Sequence, residues 1–378
     1  MNIELIRLTI LSLQGCTEDT PFGEDFVTYR VLGKIFACID LTRPDRVVLK
    51  SPPSQTTALQ ARYDGVIPAW HWNKRHWIEV VFGRDVDDAQ IRRLVYTAYS
   101  TVLHGLPKKA QIAFFKDLLP DGVFFTHSNT CTSTMEKGWS IGHAACVSAG
   151  YTIALVHADM QKSGRGQQGN AWYSQNGKNL TFTLAVSPTF LPPTEAFRLS
   201  ELTAVALCRT LDKLLPDAAE RLCIKWPNDI YYGDKKLCGT LFQNDITGGE
   251  YRMAAIGIGL NVNQQSFPDY LPNPVSMVQI MEYETGRFAL LLRFVDDFMD
   301  LYIDLRESTS ALSSGTFEAI EAEYHKRLYR RSGTHAWRDE KGAFSASIDQ
   351  VEPDGTLLLR TDEGEMRRYG FKEVEYVW

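Results

Sequence analysis

Gly164, Arg165, Gly166 and Gly169 fall together in GRGQQG, and Trp172 follows three residues after the last glycine. Glycines let backbone N–H groups approach an anion closely, and an arginine among them adds a charge that does not titrate away. A nucleotide needs a cradle for its phosphates and a flat apolar surface for its base, which an indole can supply. The spacing also satisfies the dinucleotide fingerprint GxGxxG, but in that fold the third glycine opens a helix that faces the pyrophosphate. Here the continuation NAWYSQNGKNLTFTLAV is rich in turn residues and then alternates as a strand, which rejects a nicotinamide site. Judged alone, the loop fits a flexible β–β connection as well as a phosphate cradle, and Trp172 fits a core anchor.

The elements that must position these residues divide into three stretches, giving an α+β or mixed fold class. Residues 1–107 read as an α+β unit: a helix over Ile3–Leu13, strands in FVTYRVLG, KIFACIDL, RVVLKS and WIEVVF, and a closing helix from Asp87 to Leu103. Lys108 and Lys109 open what reads as a short polar connection. Residues 112–325 then interleave strands with longer helices. Tyr151–His157, Leu180–Val186, Leu222–Trp226, Lys236–Phe242 and Met253–Val262 have strand character, while Thr194–Leu215 and Gly286–Arg306 carry apolar residues at helical spacing. Residues 326–378 alternate in short runs such as FSASIDQV and TLLLRTD between DEKG, PDGT and DEGE turns, the pattern of a small β-barrel.

At 378 residues, with 44% hydrophobic and 23% charged positions, the chain has the size of two or three domains and the composition of a soluble protein. No stretch approaches the apolar length of a membrane span. The N-terminus MNIELIRLTI does not read as a secretion signal, so the cytoplasm is the expected compartment. A net charge of −6 argues against non-specific nucleic-acid binding by the whole molecule. Seven cysteines without a CxxC pair suit neither a disulfide framework nor a structural zinc site.

Three ordered motifs, GRGQQGNAWYSQNGKNL at 164–180, KWPNDIYYGDKKLCGTL at 225–241 and GIGLNVNQ at 257–264, resemble the biotin protein ligase family. CTSTME, with Ser133 and Thr134, extends the likeness upstream, and the small C-terminal barrel extends it downstream. The resemblance implies a central mixed β-sheet ligase domain with flanking helices and an SH3-like barrel after it. It also implies formation of biotinyl-5'-AMP from biotin and ATP with Mg²⁺, then transfer of biotin to a lysine of a biotin carboxyl carrier domain of acetyl-CoA carboxylase or a related enzyme. A homodimer is compatible with it; DNA and membrane partners are not expected.

Roles follow by motif position. Ser133, Thr134 and Gln161 are implied to hydrogen-bond the ureido ring of biotin, with Met135, Gly164, Arg165, Gly166 and Gln167 around the biotin and its adenylate. Trp172, Asn228, Gly257 and Asn261 fall on the ATP side. Lys236 is implied to bridge the biotin carboxylate and the α-phosphate, and with Arg165 and Asp229 it forms the catalytic set. Asp229 is implied to sit near the reacting phosphate or its metal. The family's loop commonly carries a further arginine where Gln167 and Gln168 stand here.

The reaction asks a carboxylate to attack a phosphate, one anion approaching another, so catalysis rests on charge neutralisation and alignment. The mixed anhydride so formed hydrolyses readily, so the loop must also exclude water. Lipoate or octanoate ligases share the acyl-adenylate logic but resemble a different loop and lack KWPND. A DNA-binding regulator with biotinyl-adenylate as corepressor would carry an N-terminal winged helix-turn-helix, which the strand-rich first hundred residues do not resemble.

Those residues are similar instead to the MmcQ/YjbR-like family, through PFGEDFVTYRVLGKIFA, VVLKSPP and VIPAWHWNKRHWIEV. The similarity implies a frataxin-like α+β domain. Basic and acidic residues balance at about a dozen each through residue 107, so there is no electrostatic footprint for a phosphate backbone. His71, Lys74, Arg75 and His76 cluster with Trp70, Trp72 and Trp77 as either a functional surface or a packed aromatic face.

Overall fold

The computed structural model describes residues 1–166, 171–310 and 315–377. Alternation in the first hundred residues becomes α1 (Ile3–Leu11), β1 (Cys16–Asp19), β2 (Phe26–Val31), β3 (Lys34–Asp40), β4 (Arg46–Lys50), α2 (Pro53–Arg62), β5 (Val66–Pro68), β6 (Trp77–Val81) and α3 (Asp88–His104). The six strands form one antiparallel sheet in the order β1-β2-β3-β4-β6-β5. Asp87 caps α3 by accepting from the Gln90 N–H, and the buried face of that helix, from Ile91 to Leu103, covers β3 and β4. Trp72 and Trp77 pack with ring centroids 4.2 Å apart, whereas Trp70 is 64% exposed and His71 holds a left-handed φ of 63°.

The polar connection expected at Lys108–Lys109 is the first turn of a helix, α4 (Lys108–Asp117). Ala110, Ile112, Phe114 and Phe115 supply its apolar side, with Phe115 fully buried. After it come β7 (Val123–Cys131), α5 (Thr134–Gly142), β8 (Ile153–Gln161), β9 (Leu180–Val186), α6 (Arg198–Asp212), α7 (Ala218–Arg221), β10 (Leu222–Lys225), β11 (Asp229–Tyr232), β12 (Lys235–Thr247), β13 (Glu250–Leu260), α8 (Met277–Met281), α9 (Arg287–Ser310) and α10 (Gly315–Lys326). Their strands make a mixed seven-stranded sheet, β10-β11-β12-β13-β9-β8-β7, in which β7 and β8 run parallel. The helix expected from Thr194 begins at Arg198, because Pro192 and Pro193 feed a separate 3-10 turn at Pro193–Glu195.

The C-terminal stretch forms β14 (His335–Asp339), β15 (Gly342–Val351), β16 (Leu357–Thr361), β17 (Met366–Tyr369) and β18 (Glu375–Tyr376), an antiparallel sheet in the order β17-β16-β15-β14-β18 around the fully buried Trp337. It is seated on the central sheet by the Trp226 indole N–H, which donates to the Gly355 carbonyl at 3.0 Å. The architecture is thus mixed α+β with several sheets.

One apolar cluster runs without a break from Ile6 to Val374. The first sheet and the second are also joined by polar contacts: Gly286 N–H donates to Ser100 Oγ at 2.7 Å, the Thr97 and Tyr283 hydroxyls meet at 2.7 Å, and Gln55 Nε2 donates to the Met281 carbonyl at 2.8 Å. Among the described residues, no helix is long and apolar enough to cross a membrane. All seven cysteines are free thiols.

Candidate active site

The chemistry-bearing motifs converge on one cavity of about 910 Å³ at the junction of the central and C-terminal sheets. Thr134 and Met135 reach it from the start of α5, and Gln161 from the end of β8. Arg165, Gly166 and Trp172 come from the loop before β9, Asn228, Asp229 and Lys236 from the β10–β12 meander, and Gly257 from β13. The dinucleotide alternative fails too, since among the described residues the chain from Ala171 onward leads into the strand β9 and not into a helix.

At one end, Gln161 Oε1 accepts from the Thr134 N–H at 2.7 Å and from its hydroxyl at 3.1 Å, and Thr183 Oγ1 lies 3.0 Å from Thr134 Oγ1. Ser133 sits just behind as the N-cap residue of α5, 1% exposed, with a hydroxyl that has no partner in the protein. Buried polar groups are nearly always satisfied, so this end is preorganised for a ligand with polar edges.

Lys236 lies in the middle. Its Nζ is 2.8 Å from Asp229 Oδ1 and 5.8 Å from the Trp172 ring centroid. Its backbone is fixed by Lys236 N–H donating to the Asn273 carbonyl and its own carbonyl accepting from Val275 N–H. Trp172 is placed by its N–H donating to the Gly164 carbonyl at 3.0 Å, and its ring lies against Gly239 and Gly259. A Cβ on Gly259 would lie 2.2 Å from the indole, and one on Gly257 would lie 2.5 Å from the Met135 sulfur. These close approaches are what GIGLN supplies.

Two further residues singled out from sequence stand outside the lining, as Ser133 does, and a third lines it with its side chain already engaged. Gly164 is outside the cavity lining and carries the Trp172 hydrogen bond. Asn261 is buried behind the wall; its Nδ2 donates to the Val275 carbonyl at 3.0 Å, while its Oδ1 has no partner. The Asn228 side-chain amide donates to the Thr240 carbonyl, leaving less of it for a ligand. Gln167, with Gln168 and Gly169, lies outside the described residues.

Other lining residues had no such assignment. Lys225, Trp226 and Gly239 belong to the KWPNDIYYGDKKLCGTL motif. Burial pushes the Lys225 ammonium pKa down, and its Nζ faces the Tyr376 ring at 4.8 Å. Arg338, Lys372 and Glu375 arrive from the C-terminal sheet with no motif to announce them. Arg165, Lys225, Lys236, Arg338 and Lys372 therefore face two carboxylates, Asp229 and Glu375. An acidic protein thus concentrates positive charge in one concave place, which attracts and holds polyanions.

A cluster that could hold a metal, His127, His157 and Asp159, is not part of the cavity. His127 and His157 pack against Phe288 of α9, and the Asp159 carboxylate is matched by Lys108 and by Arg287 at 2.9 Å. Burial raises the Asp159 pKa, but the hydrogen bonds from Lys108 and Arg287 outweigh it and hold the carboxyl below its usual range. Burial, then Arg287, pushes His157 well down, so it is neutral. A carboxylate already matched by two cations suits a structural ion-pair centre, and Gly177 N–H donates to the Asp159 carbonyl, fixing the far end of the glycine loop.

Comparison with known proteins agrees with this geometry. Residues 11–101 match the YjbR family model, and residues 147–261 match that of the biotin/lipoate A/B protein ligase family. The bifunctional ligase/repressor BirA of Bacillus spizizenii is 31% identical over 218 residues, 57% of this chain, and the chain spans 64% of that protein's length. The biotin–[acetyl-CoA-carboxylase] ligase of Paracoccus denitrificans is 37% identical over 215 residues, 56% of this chain and 85% of that enzyme. A biotin protein ligase from Aquifex aeolicus, solved with biotin and ATP, superposes with a TM-score of 0.52 at 19% identity over 68% of this chain and 100% of its own, a likeness of fold. The coverage of the Paracoccus enzyme, on top of the shared fold and the convergent motifs, establishes that the chain belongs to the biotin protein ligase family.

Proposed function

We propose that the protein joins biotin to ATP as biotinyl-5'-AMP, with release of pyrophosphate, and then passes the biotinyl group to a lysine of a biotin carboxyl carrier domain. The observation that carries this reading is the single cavity in which a hydrogen-bonding pair, Thr134 and Gln161, and a group of cations centred on Lys236 are held together. Its volume of about 910 Å³ is at the upper end of ordinary small-molecule sites, of roughly 300–1,000 Å³, and suits two substrates side by side.

In the first step a carboxylate oxygen of biotin bonds to the α-phosphorus and the bond to the pyrophosphate oxygen breaks. Lys236 and Arg165 neutralise the approaching anions. A unit-charge contact at 4 Å is worth about 1 kcal/mol in water and about 4 at an effective dielectric near 20, so excluding water is part of the catalysis. Trp172 and the glycine loop do that. In the second step the neutral amine of the carrier lysine bonds to the acyl carbon, AMP leaves, and Asp229 is the carboxylate placed to take the amine proton.

Mg²⁺ suits this donor set as a passenger of the triphosphate. Phosphate and water oxygens would supply most of its ligands, with Asp229 offering one carboxylate, and the ion would withdraw charge from the phosphates. Ser133, Thr134, Met135 and Gln161 serve the ureido end, and Gly257, Asn228 and Asn261 the adenine end. The three-unit division at 1–107, 112–325 and 326–378, a frataxin-like first unit and an SH3-like last one complete the reading. A repressor role is disfavoured, because the first unit is a six-stranded sheet with three helices.

Mass spectrometry of a carrier domain incubated with the full chain, ATP, Mg²⁺ and biotin tests the proposal. One biotinyl mass added to the carrier is expected, with pyrophosphate release dependent on biotin. Equal or faster turnover with lipoate would assign the site to the sister activity, because a ureido ring offers Ser133, Thr134 and Gln161 partners that lipoate lacks.

A further inference from the structure

Between the first sheet and the ligase sheet lies a second cleft of about 210 Å³. It has space for about seven waters at roughly 30 Å³ each, the size of a small organic acid and too little for a nucleotide. One wall is made by α2 and α3, the other by the segment after α6 and by α8 with its following turn.

Arg62 and Arg93 both line it, and neither forms an ion pair with a carboxylate among the described residues. Arg62 lies over the Tyr63 ring at 5.3 Å, and Arg93 donates to the neutral Gln90 Oε1 at 2.9 Å. Arg287 and Arg327, half-buried like Arg93, each meet carboxylates. The cleft's one carboxylate, Glu282, is exposed at its edge. A guanidinium cannot shed its charge, so the two arginines leave positive charge unmatched in a shape that fits a carboxylate by paired hydrogen bonds.

Gln55 adds a second requirement. Its Nε2 is committed to the Met281 carbonyl, while its Oε1 is buried without a partner. A buried acceptor in this state calls for an O–H or N–H donor. The cleft is also joined to the nucleotide side of the cavity: Met277 N–H at the start of α8 donates to the Asn261 carbonyl at 3.0 Å, and Met281 at the end of the same helix lines the cleft.

We propose that this cleft binds a small carboxylic acid bearing a hydroxyl or amine donor, its carboxylate on Arg62 and Arg93 and its donor on Gln55. The site is separate from the ligase cavity and stands whether or not the ligase reading holds.

Calorimetry on the full chain with malate, succinate and inorganic phosphate tests it, with amide hydrogen exchange to locate the bound acid. Saturable malate binding is expected, at least about threefold tighter than succinate, with slowed exchange in 53–63, 88–97 and 277–285. Arg62→Gln with Arg93→Gln should weaken it at least about tenfold, the scale of losing hydrogen bonds to a charged group. If the double variant fails to fold, the exposed Arg62→Gln alone decides, with a loss of at least about threefold expected. The proposal is overturned by no saturable malate binding up to about 10 mM, by unchanged affinity in the folded variants, by protection at 225–240 instead, or by phosphate binding more tightly than malate.

Discussion

A single methyl group at position 259 tests how the cavity wall beside Trp172 is built. A Cβ added to Gly259 falls 2.2 Å from Cε2, 2.5 Å from Cζ2 and 2.6 Å from Nε1 of Trp172. Carbon atoms prefer about 3.5–4.0 Å, so the indole must withdraw by more than about an ångström. It has little freedom to do so, because its backbone is bonded to Gly164. Overpacking of this kind costs about 1–3 kcal/mol. If Trp172 covers the bound nucleotide, that cost is charged against its closed position and Gly259→Ala should weaken ATP binding by about 5- to 150-fold, at tenfold per 1.4 kcal/mol. Calorimetric titration with α,β-methylene-ATP, which cannot release pyrophosphate, in the presence of biotin measures this. The same substitution in a Trp172→Ala background should have almost no effect, since the clash is gone. Unchanged ATP affinity in folded Gly259→Ala, or an equal loss in both backgrounds, would refute the placement of Trp172 against the nucleotide.

Lys236→Ala should slow single-turnover formation of biotinyl-adenylate by at least about a hundredfold, the scale of removing one preorganised charge donor, and near-normal quench-flow rates in a folded variant would show that the lysine is misassigned. Glu201 on α6 is buried, and burial followed by Glu321 pushes its carboxyl from the usual 4.5 to about 8. Its folded-state pKa is raised, so its contribution is fully present below pH 4.5 and is lost as pH rises toward about 8; Glu201→Gln should raise the melting temperature at pH 8.5 and not at pH 4, and a pH-independent change would contradict this. A chain beginning at Gln111 loses at least the hydrogen bonds from Ser100, Thr97 and Gln55, at about 1 kcal/mol each, besides the Lys108 and His104 ion pairs and part of the shared core, and at about 2–4 °C per kcal/mol it should melt at least about 6 °C lower; an unchanged melting temperature with full carrier biotinylation would show that the first unit is dispensable.

The long amphipathic elements were legible because their periods are long enough to count. α3 and α9, with β3, β6, β9 and β13, stand where apolar spacing puts them, within a few residues. The elements that were not legible lack that signal. α2, PSQTTALQAR, buries only Thr56 and Leu59, and α4 starts with two lysines that read as a linker. β7 carries Thr126, His127, Ser128 and Asn129 in its second half, which hides its strand character. The site was legible where its residues lie in contiguous motifs, as Arg165, Trp172, Asp229 and Lys236 do. It was not where partners meet across the chain: Arg338, Lys372 and Glu375 line the cavity from the C-terminal sheet, and Asp159 meets Lys108 and Arg287 from 51 and 128 residues away. No spacing rule reaches that far.

The ion pairs of Asp159 bear on why two families share one chain. Units connected only by a linker meet through polar, transient surfaces. Here a single core passes from Ile6 through Phe115 to Phe182 and beyond, and the first residue of α4, Lys108, is one of two cations that neutralise Asp159. The other, Arg287, also donates to the Asn179 carbonyl at 3.0 Å, while Asp159 itself holds Gly177. Lys178, between those two, pairs with Glu284 at 2.6 Å, and Glu284 in turn meets His104, the last residue of α3, at 2.9 Å. The stretch that carries Trp172 toward β9 is therefore anchored at 177–179 by charges whose partners stand at the end of the first unit. Removing a cation from a buried carboxylate leaves a charge that the surroundings must solvate again. The first unit thus helps to hold the foot of the stretch that carries Trp172 into the cavity, and is a structural part of the site's frame.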